Sequence, residues 1–326
     1  MKSISSRRGC LLALALCFSL LLPIEAQQKQ EPLPPPQPTA KITGKVIDES
    51  GQPVNGAQVT IDFLIGQLGS WGTRDLTHQG TTGSDGAFSA SDQAGGAASL
   101  SVTKAGYYKT YGGRYLFKER NGMQWEPWNP NIELVLKPIL KPIPMYAKRV
   151  ETAIPDFNVA LPYDLSVGDW VAPRGKGKIA DIIFTAQLDQ RSESDYDYTL
   201  TVSFPNKGDG IQTFDAPLNV GSELKSPRYA PVEGYQPNWV QTRNQQPGQI
   251  ERGNYALDGN RNYFIRVRTV LDEKGKVKSA NYGKIYGEFM NFTYYLNPTP
   301  NDPNVEFDPM RNLLTGLKDS EKVPTP

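Results

Sequence analysis

Residues 42–61, ITGKVIDESGQPVNGAQVTI, place a cluster of turn-forming residues between two apolar runs. Residues 43–47 predict a strand, and residues 48–53 predict the turn that follows it. Asp and Ser satisfy backbone groups locally, Gly allows a positive φ, and Pro fixes φ. In the second run apolar residues alternate with polar ones, which predicts a strand with one buried face. The residues predicted to face the core are Val59, Ile61 and Phe63.

The same pattern of short strands and turns continues through the rest of the chain. Buried strand faces are predicted for residues 100–102 and 132–136, and later for residues 182–188, 196–204 and 263–267. No window of helical length keeps an apolar period of 3.6 residues. Several short strands separated by Gly and Pro are typical of all-β sandwiches. We therefore expect an all-β protein with two β-sandwich domains.

A family resemblance is carried by turn and core residues of the first half of the chain. They are Gly44, Val46, Asp48, Gly51, Pro53, Gly56, Ala57 and Val59, followed by residues 85–88 (DGAF), 102–107 (VTKAGY) and 132–136. On these residues the segment 42–137 resembles a carboxypeptidase regulatory-like domain, a transthyretin-like module of many exported bacterial proteins. The resemblance implies a Greek-key sandwich with a non-catalytic accessory role. It departs from the family at residues 107–130, a long insertion, and the rest of the chain resembles no characterised family.

The N-terminal segment predicts export. Basic residues precede the apolar run of residues 11–22, and the segment ends at the small residue Ala26. This is the order of a secretory signal peptide, here residues 1–26. The apolar run is shorter than the about 20 residues that a membrane span needs. We expect a periplasmic or extracellular protein with no membrane span in the mature chain.

Removal of the signal peptide leaves a chain that is nearly neutral and free of cysteine. Cys10 and Cys17 both lie in the removed segment, and the remaining 300 residues carry 32 basic and 33 acidic side chains. Disulfides therefore cannot stabilise the exported domains, and their apolar cores must do so. A protein that binds nucleic acid needs a basic stripe, so that partner class is excluded.

Composition also divides the chain into segments. Residues 27–40 hold five prolines and four glutamines, which predicts an extended linker. The regulatory-like sandwich is expected over residues 41–138 and a second β-rich domain over residues 139–316, with the prolines of residues 138–144 at the boundary. The polar residues 317–326 are predicted to be a disordered tail.

Few residues offer catalytic chemistry. His78, in a predicted exposed loop, is the only histidine, whereas a catalytic zinc site needs about three protein ligands and a nucleophilic triad needs a base. We predict no cofactor and no enzyme. The weakest alternative is a glycoside hydrolase, which needs two convergent carboxylates. Its candidates are Asp181, Asp189, Asp195 and Asp197.

A calcium site is a second acidic alternative. Oxygen ligands alternate along the C-terminal sequence at Asp302, Asn304, Glu306 and Asp308. Calcium takes six to eight oxygens, and an alternating loop supplies several of them. However, the segment lacks a central glycine and holds two prolines, so a solvated surface strand is the competing interpretation.

The strongest functional pattern is aromatic. Residues 107–128, YYKTYGGRYLFKERNGMQWEPW, hold seven aromatic residues, against 10% in the whole chain. An aromatic ring beside polar side chains matches the apolar face and hydroxyl rim of a sugar. We predict a glycan-binding loop formed by Trp125, Trp128, Tyr111, Tyr115, Arg114 and Glu126. In the alternative, the two tryptophans pack inside the protein, and the chain is a structural or assembly module for another envelope protein.

Overall fold

The computed structural model describes residues 37–66, 73–151, 154–217, 220–254, 260–289 and 291–326. The predicted signal peptide, residues 1–26, and residues 27–36 of the predicted linker lie outside these ranges. Within them the chain forms strands β1 to β21 and only two short 3-10 helices, Pro309–Arg311 and Asp319–Glu321, which confirms the all-β prediction. None of the helices in the described ranges is long and apolar enough to cross a membrane.

The first sandwich packs two sheets face to face. Sheet I contains β1 (Thr39–Asp48), β4 (Ala87–Gln93), β7 (Glu119–Asn121), β8 (Gln124–Glu126) and β9 (Asn131–Leu136). At its centre β1 is antiparallel to β4 and parallel to β8 and β9. Sheet II contains β2 (Gln58–Gly66), β3 (Thr73–Thr81), β5 (Ala97–Thr103) and β6 (Thr110–Leu116). It has the order β16-β6-β5-β2-β3, and β16 (Gly221–Ser222) comes from the second half of the chain.

The opening stretch of sequence forms the core of this sandwich. Val59, Ile61 and Phe63 are all buried, as the alternation predicts. A side chain at Gly44 is excluded, because its Cβ would lie 2.0 Å from the carbonyl oxygen of Ile132 and 2.3 Å from the ring of Phe88. These two residues are its partners on β9 and β4. The glycine therefore lets an aromatic ring cross the centre of sheet I.

The turn after β1 uses the predicted chemistry. Asp48 Oδ1 accepts hydrogen bonds from the backbone N–H groups of Ser50, at 2.8 Å, and Gln52, at 3.0 Å. Gly51 has a φ of 79°, a conformation that a side chain disfavours. The hydrogen bonds from Ser50 and Gln52 lower the pKa of the Asp48 carboxyl. The turn thus fixes where β1 ends.

The second sandwich also has two sheets, in which all neighbouring strands are antiparallel. Sheet III has the order β10 (Tyr146–Val150), β21 (Phe292–Leu296), β20 (Val277–Tyr286), β19 (Arg261–Leu271), β15 (Gly210–Asp215). Sheet IV has the order β12 (Asp169–Trp170), β11 (Ala160–Asp164), β13 (Ile182–Ser192), β14 (Asp195–Ser203), β17 (Asn238–Gln245), β18 (Arg252–Gly253). The core between them is rich in aromatic rings, among them Tyr163, Phe184, Tyr263 and Phe292.

Sheet III is covered on both faces. On β19, Tyr263 and Ile265 face sheet IV, while Phe264 belongs to a separate core on the opposite face. This outer core also holds Tyr282 and Tyr295, and its cover includes Val305 and Phe307 from the C-terminal segment. The second half of the chain therefore has three layers, two sheets and a cover of irregular backbone.

The C-terminal residues 317–326 belong to this cover, so the prediction of a disordered tail is wrong. Val323 is buried, and Tyr295 donates a hydrogen bond from its hydroxyl to the carbonyl of Thr325, at 3.2 Å. Glu321 pairs with Lys148 on β10, at 3.0 Å. The polar composition concealed the role of the segment, because a single apolar side chain and backbone contacts are enough to place it on an aromatic sheet face.

A buried carboxylate joins the two sandwiches. Glu306, 1% exposed, accepts a hydrogen bond from the hydroxyl of Tyr108 in the first sandwich, at 2.8 Å. It also accepts from the N–H groups of Leu140, at 2.9 Å, and Lys141, at 3.0 Å, in the connector. Burial, followed by the hydrogen bond to Glu306, raises the pKa of Tyr108 above its ordinary value of 10.0. The contact therefore holds a protonated tyrosine against a carboxylate.

Further contacts make the junction continuous. Arg228 lies with its Nε 3.9 Å from the Glu306 carboxylate and also contacts the side chain of Glu49 and the carbonyl of Pro138. Strand β16 adds to the edge of sheet II beside β6. Accordingly, Pro36–Pro326 form one compact unit that contains both sandwiches.

We predict that Glu306→Gln lowers the free energy of unfolding by about 2–4 kcal/mol, because one amide oxygen cannot replace both oxygens of a buried carboxylate that accepts from three donors. Chemical denaturation monitored by tryptophan fluorescence measures this. Glu273→Gln, in an exposed turn, is the control and should change stability by less than about 0.5 kcal/mol. Equal stability of the two variants would contradict the role of Glu306.

Candidate functional site

The aromatic segment, residues 107–128, forms strands where the sequence pattern predicts a loop. Residues 107–128 form β6 and the hairpin of β7 and β8, and this hairpin extends sheet I alongside β1. Backbone pairing therefore fixes the segment, and the direction of each ring follows from its position on a strand. The sequence pattern of Gly and Asn around residues 121–122 is the turn of the hairpin.

Trp125 belongs to the end of the first core. Its Nε1 donates a hydrogen bond to the carbonyl of Ala94, at 2.6 Å. Its ring stacks on Phe117, with centroids 6.3 Å apart and planes at 29°, and the guanidinium of Arg120 lies 5.9 Å from its centroid. These contacts match the alternative interpretation, in which the tryptophan caps the sandwich, and not a ring presented to solvent.

The other predicted residues do not gather around one platform. Tyr115 is half-buried and packs edge-on against Phe117, while Arg114 is exposed. Glu126 accepts a hydrogen bond from the backbone N–H of Trp128, at 2.7 Å, and the Trp128 side chain is 39% exposed. A shallow cavity of about 540 Å³ beside the hairpin has polar walls without an aromatic ring. The hairpin therefore offers one exposed indole and no pair of coplanar rings.

We predict opposite outcomes for the two tryptophans. Trp125→Ala removes a packed ring and a partly buried hydrogen bond, so the free energy of unfolding should fall by about 3 kcal/mol. Trp128→Ala is the matched control and should cost less than about 1 kcal/mol, because its ring is partly solvated. Thermal and denaturant unfolding of both variants test this. A larger loss for Trp128→Ala would show that the roles are reversed.

A second concave surface lies between the two sandwiches. One cavity of about 390 Å³ is bounded by β6 and β9 of the first sandwich and by residues 215–217 and 220–225 of the second half. An adjoining cavity of about 340 Å³ shares Tyr111, Val220, Ser222 and Lys225 with it. We call the two cavities together the junction groove. No sequence motif marks it, because its walls come from segments that are distant in sequence.

Tyr111 is the aromatic ring of the junction groove and the predicted site residue that the fold places there. It is 39% exposed on β6, where it pairs with Gly221 of β16. The ammonium of Lys109 lies 4.6 Å from its ring centroid, and its hydroxyl lies 3.4 Å from a carboxylate oxygen of Glu223. Strand pairing across the junction thus holds the ring in place.

Charged side chains of both signs line the junction groove. Glu133 and Asp215 are exposed, whereas Lys137 and Lys225 are half-buried. Burial lowers the pKa of both lysines. Lys137 Nζ donates to the carbonyls of Leu224, at 3.0 Å, and Ser226, at 3.3 Å. The groove therefore combines exposed acceptors, partly desolvated cationic donors and a tyrosine ring.

A third lysine, Lys284, approaches the same residue as Lys137, Ser226. Lys284 is fully buried, with its Nζ 3.3 Å from Ser226 Oγ and 4.7 Å and 5.0 Å from the ring centroids of Tyr295 and Tyr286. Burial, and then the charge of Lys137, lower the pKa of Lys284 well below its ordinary value of 10.5, against the opposing effect of Glu306. The folded protein consequently binds a proton at this amine less readily than the unfolded chain does.

We predict that Lys284→Met leaves the protein equally stable at pH 7 or stabilises it by about 1–4 kcal/mol, because it removes the cost of burying an amine. In the native protein stability should rise with pH between the lowered pKa and about 10.5, since the unfolded chain binds the extra proton there. The variant should lack this rise.

Lys278→Met, on an exposed position of the same strand, is the control and should change neither stability nor its pH dependence. Urea unfolding from about pH 6 to about pH 8.5 keeps nearly all tyrosines of the unfolded chain protonated, because their ordinary pKa is about 10. A loss of more than about 1 kcal/mol in Lys284→Met at pH 7 would show that the charged form is stabilised.

The carboxylates proposed for a glycoside hydrolase are engaged by arginines. Asp181 is buried, and its Oδ1 lies 2.7 Å from Arg268 Nε. Arg191 binds the remaining three at 2.6–2.8 Å, at the exposed end of the β13–β14 hairpin: Asp189, Asp195 and Asp197. Each carboxylate thus has an arginine partner, and burial raises the pKa of Asp181 above its ordinary value.

The oxygen atoms of the calcium candidates are also occupied. Asp302 and Asn304 accept backbone N–H groups two residues further along, and Asp308 caps a 3-10 helix. Asn304 and Glu306 are buried, so the alternative of a solvated surface strand is wrong. Over the described ranges no three or more His, Cys, Asp or Glu residues cluster in a way that would hold a metal ion.

His78 also differs from its prediction as a loop residue. It lies on β3, and its Nε2 is 2.7 Å from Asp92 Oδ2. Its ring packs edge-on against Phe63, with centroids 5.7 Å apart. The pairing with Asp92 gives His78 a structural role between the sheets.

Comparisons with known proteins give low similarity values. No family model matches the chain, and no curated protein matches it. Among solved structures, it is similar to a protein from Bacteroides uniformis to which carbohydrate binding is ascribed, with 9% identity over 81% of this chain and 99% of that chain and a TM-score of 0.21. It is also similar to BcpA, the major pilin subunit of Bacillus cereus, with 11% identity, coverage of 80% and 96%, and a TM-score of 0.23.

A third similarity is to hydroxyquinol 1,2-dioxygenase from Pseudomonas putida, with 14% identity and a TM-score of 0.25. The match covers 31% of this chain and spans only 57% of the dioxygenase chain. At these values the comparisons carry no argument about function, which must come from the site itself.

Proposed function

We propose that this chain is an exported, non-catalytic binding protein that takes a carbohydrate in the junction groove. The proposal rests on one observation, the exposed ring of Tyr111 in a groove lined by charged side chains from both sandwiches. A sugar presents C–H groups to an aromatic ring and hydroxyls to surrounding donors and acceptors. Export rests on the signal-like sequence of residues 1–26, and residues 42–137 are proposed to be the carboxypeptidase regulatory-like module.

The groove offers polar partners to a ligand beside its apolar walls. Glu133 and Asp215 offer acceptors and Lys225 a donor, so hydroxyl groups find partners on more than one side. The volume of about 390 Å³ lies in the range of small-molecule sites, and the adjoining cavity extends it along Tyr111. An elongated glycan fits such a surface, because successive sugar units occupy successive parts of the groove.

We predict that Tyr111→Ala weakens carbohydrate binding by about fivefold, since stacking on one ring contributes about 1 kcal/mol. The midpoint of thermal unfolding should change little, because the ring is partly solvated. Retention in native gels that contain neutral β-glucan, xylan, galactomannan or dextran measures binding. Tyr229→Ala, an exposed tyrosine outside the groove lining, is the control.

Loss of retention in Tyr111→Ala with full retention in Tyr229→Ala is the expected result. Equal retention of both variants would show that the binding surface lies outside the groove. Absence of retention of the native protein by these and by acidic polysaccharides would overturn the carbohydrate proposal.

A second candidate function is an assembly module that binds another envelope protein. It is favoured by exposed apolar side chains on the aromatic segment, namely Leu116, at 63%, Met123, at 52%, and Trp128, at 39%. Exposed apolar groups are characteristic of protein contacts when they form one patch. Chemical cross-linking of the native protein and of Met123→Glu in envelope preparations separates the two functions, because the substitution should abolish a protein contact and leave glycan retention unchanged.

A further inference from the structure

Two half-buried lysines, Lys137 and Lys225, line the junction groove, and we call them its cationic floor. Binding of a neutral sugar does not explain why these charged groups are partly buried. Lys225 is half-buried, and burial lowers its pKa with no opposing charge to restore it. Its closest described aromatic contact is the ring of Tyr286, with the ammonium 5.8 Å from the centroid. Among the described residues it forms no ion pair. Partial burial of an ammonium group without a partner is unfavourable, and an anionic partner would offset that cost.

Lys137 is in a related position at the same floor. Its Nζ donates to two backbone carbonyls, which leaves one of its three N–H groups free. Glu49 raises its pKa through space, but burial is the larger effect, and the Glu49 carboxylate is itself paired with Arg228. Over the described ranges Lys137 makes no ion pair either. Two ammonium groups thus lie in one groove, and both retain hydrogen-bonding capacity.

The residues behind the floor do not neutralise it. Lys137 Nζ and Lys284 Nζ approach the same residue, Ser226, the first at its carbonyl and the second at its hydroxyl. The Glu306 carboxylate, the acidic group on that side, is saturated by Tyr108 and the connector N–H groups. An incoming anion could therefore pair with ammonium groups that form no ion pair among the described residues.

The carboxylates of the groove lining are of a different kind. Glu133 and Asp215 are exposed, so water and salt screen their charges over about 10 Å, whereas Glu223 is half-buried and accepts a hydrogen bond from the Tyr111 hydroxyl. The two half-buried lysines are screened less, and they determine the preference of the inner part of the groove. The exposed acceptors remain suited to hydroxyl groups.

We infer that the junction groove recognises an acidic carbohydrate, whose carboxylate or sulfate group binds between the ammonium groups of Lys137 and Lys225. This rests on the proposed carbohydrate function and names its ligand class. Charge-assisted hydrogen bonds from ammonium to a carboxylate or sulfate oxygen are about twice as strong as neutral ones. The anion would also replace the solvation that burial removes from both lysines.

The test compares polymers that share a backbone and differ in charge. The probes are polygalacturonate with its methyl-esterified form and dextran sulfate with dextran, in affinity gels and calorimetric titration of the mature protein. We expect at least tenfold tighter binding to the acidic member of one pair. Preference within the first pair identifies a carboxylate and preference within the second a sulfate ester.

Substitutions of Lys225 test whether this lysine causes the preference for acidic polymers. Lys225→Gln should reduce the preference at least fivefold, while Lys225→Arg should retain it and shows that the site tolerates substitution. Lys274→Gln, which removes an exposed lysine from a turn, is the control for general electrostatic attraction. Thermal unfolding verifies that each variant is folded.

The outcomes separate this inference from the proposed function. Binding that depends on Tyr111 but is equal for acidic and neutral polymers overturns the acidic preference and leaves the carbohydrate function standing. If Lys225→Gln and Lys274→Gln reduce the preference for acidic polymers equally, that preference comes from general electrostatic attraction. This result also overturns the inferred acidic site. Absence of binding to every polymer overturns both.

Discussion

A buried carboxylate requires hydrogen-bond donors, and this requirement at Glu306 determines how the two halves of the chain meet. Its donors come from Tyr108 in the first sandwich and from the connector at Leu140 and Lys141, whereas Glu306 belongs to the C-terminal cover of sheet III. A carboxylate that loses such partners in a dry interior costs several kcal/mol. The sandwiches cannot separate without exposing or orphaning this group. Two modules that resemble independent domains therefore behave as one structural unit.

The candidate site is a consequence of that junction. The groove exists because β16 pairs with β6 and because the segment after β15 lies against the first sandwich. The same contact leaves Lys137 and Lys225 half-buried, since they stand where the two sandwiches approach each other. A site formed between two modules is fixed only as firmly as the modules themselves. The network around Glu306 and Arg228 supplies that rigidity without a disulfide, in a chain whose two cysteines both precede residue 18.

The sequence was most informative where local rules decide the structure. Asp48 and Gly51 predicted a turn because their chemistry acts within four residues, and Val59, Ile61 and Phe63 predicted a buried face because strand geometry has a period of two. It was least informative where distant segments meet. Residues 317–326 are polar, yet they cover an aromatic sheet face that only the fold creates. Trp125 and Tyr111 are equally aromatic in sequence, and only strand pairing shows that one caps a core while the other lines a groove.

Differential scanning calorimetry of the mature protein tests most directly whether the junction makes one unit of the two sandwiches. A junction held by a buried carboxylate predicts a single transition whose calorimetric enthalpy equals its van't Hoff enthalpy, because neither sandwich keeps its structure after the other unfolds. Two resolved transitions, or a calorimetric enthalpy about twice the van't Hoff value, would show that the sandwiches unfold independently. That result would contradict a rigid junction and with it a binding groove that depends on both halves of the chain.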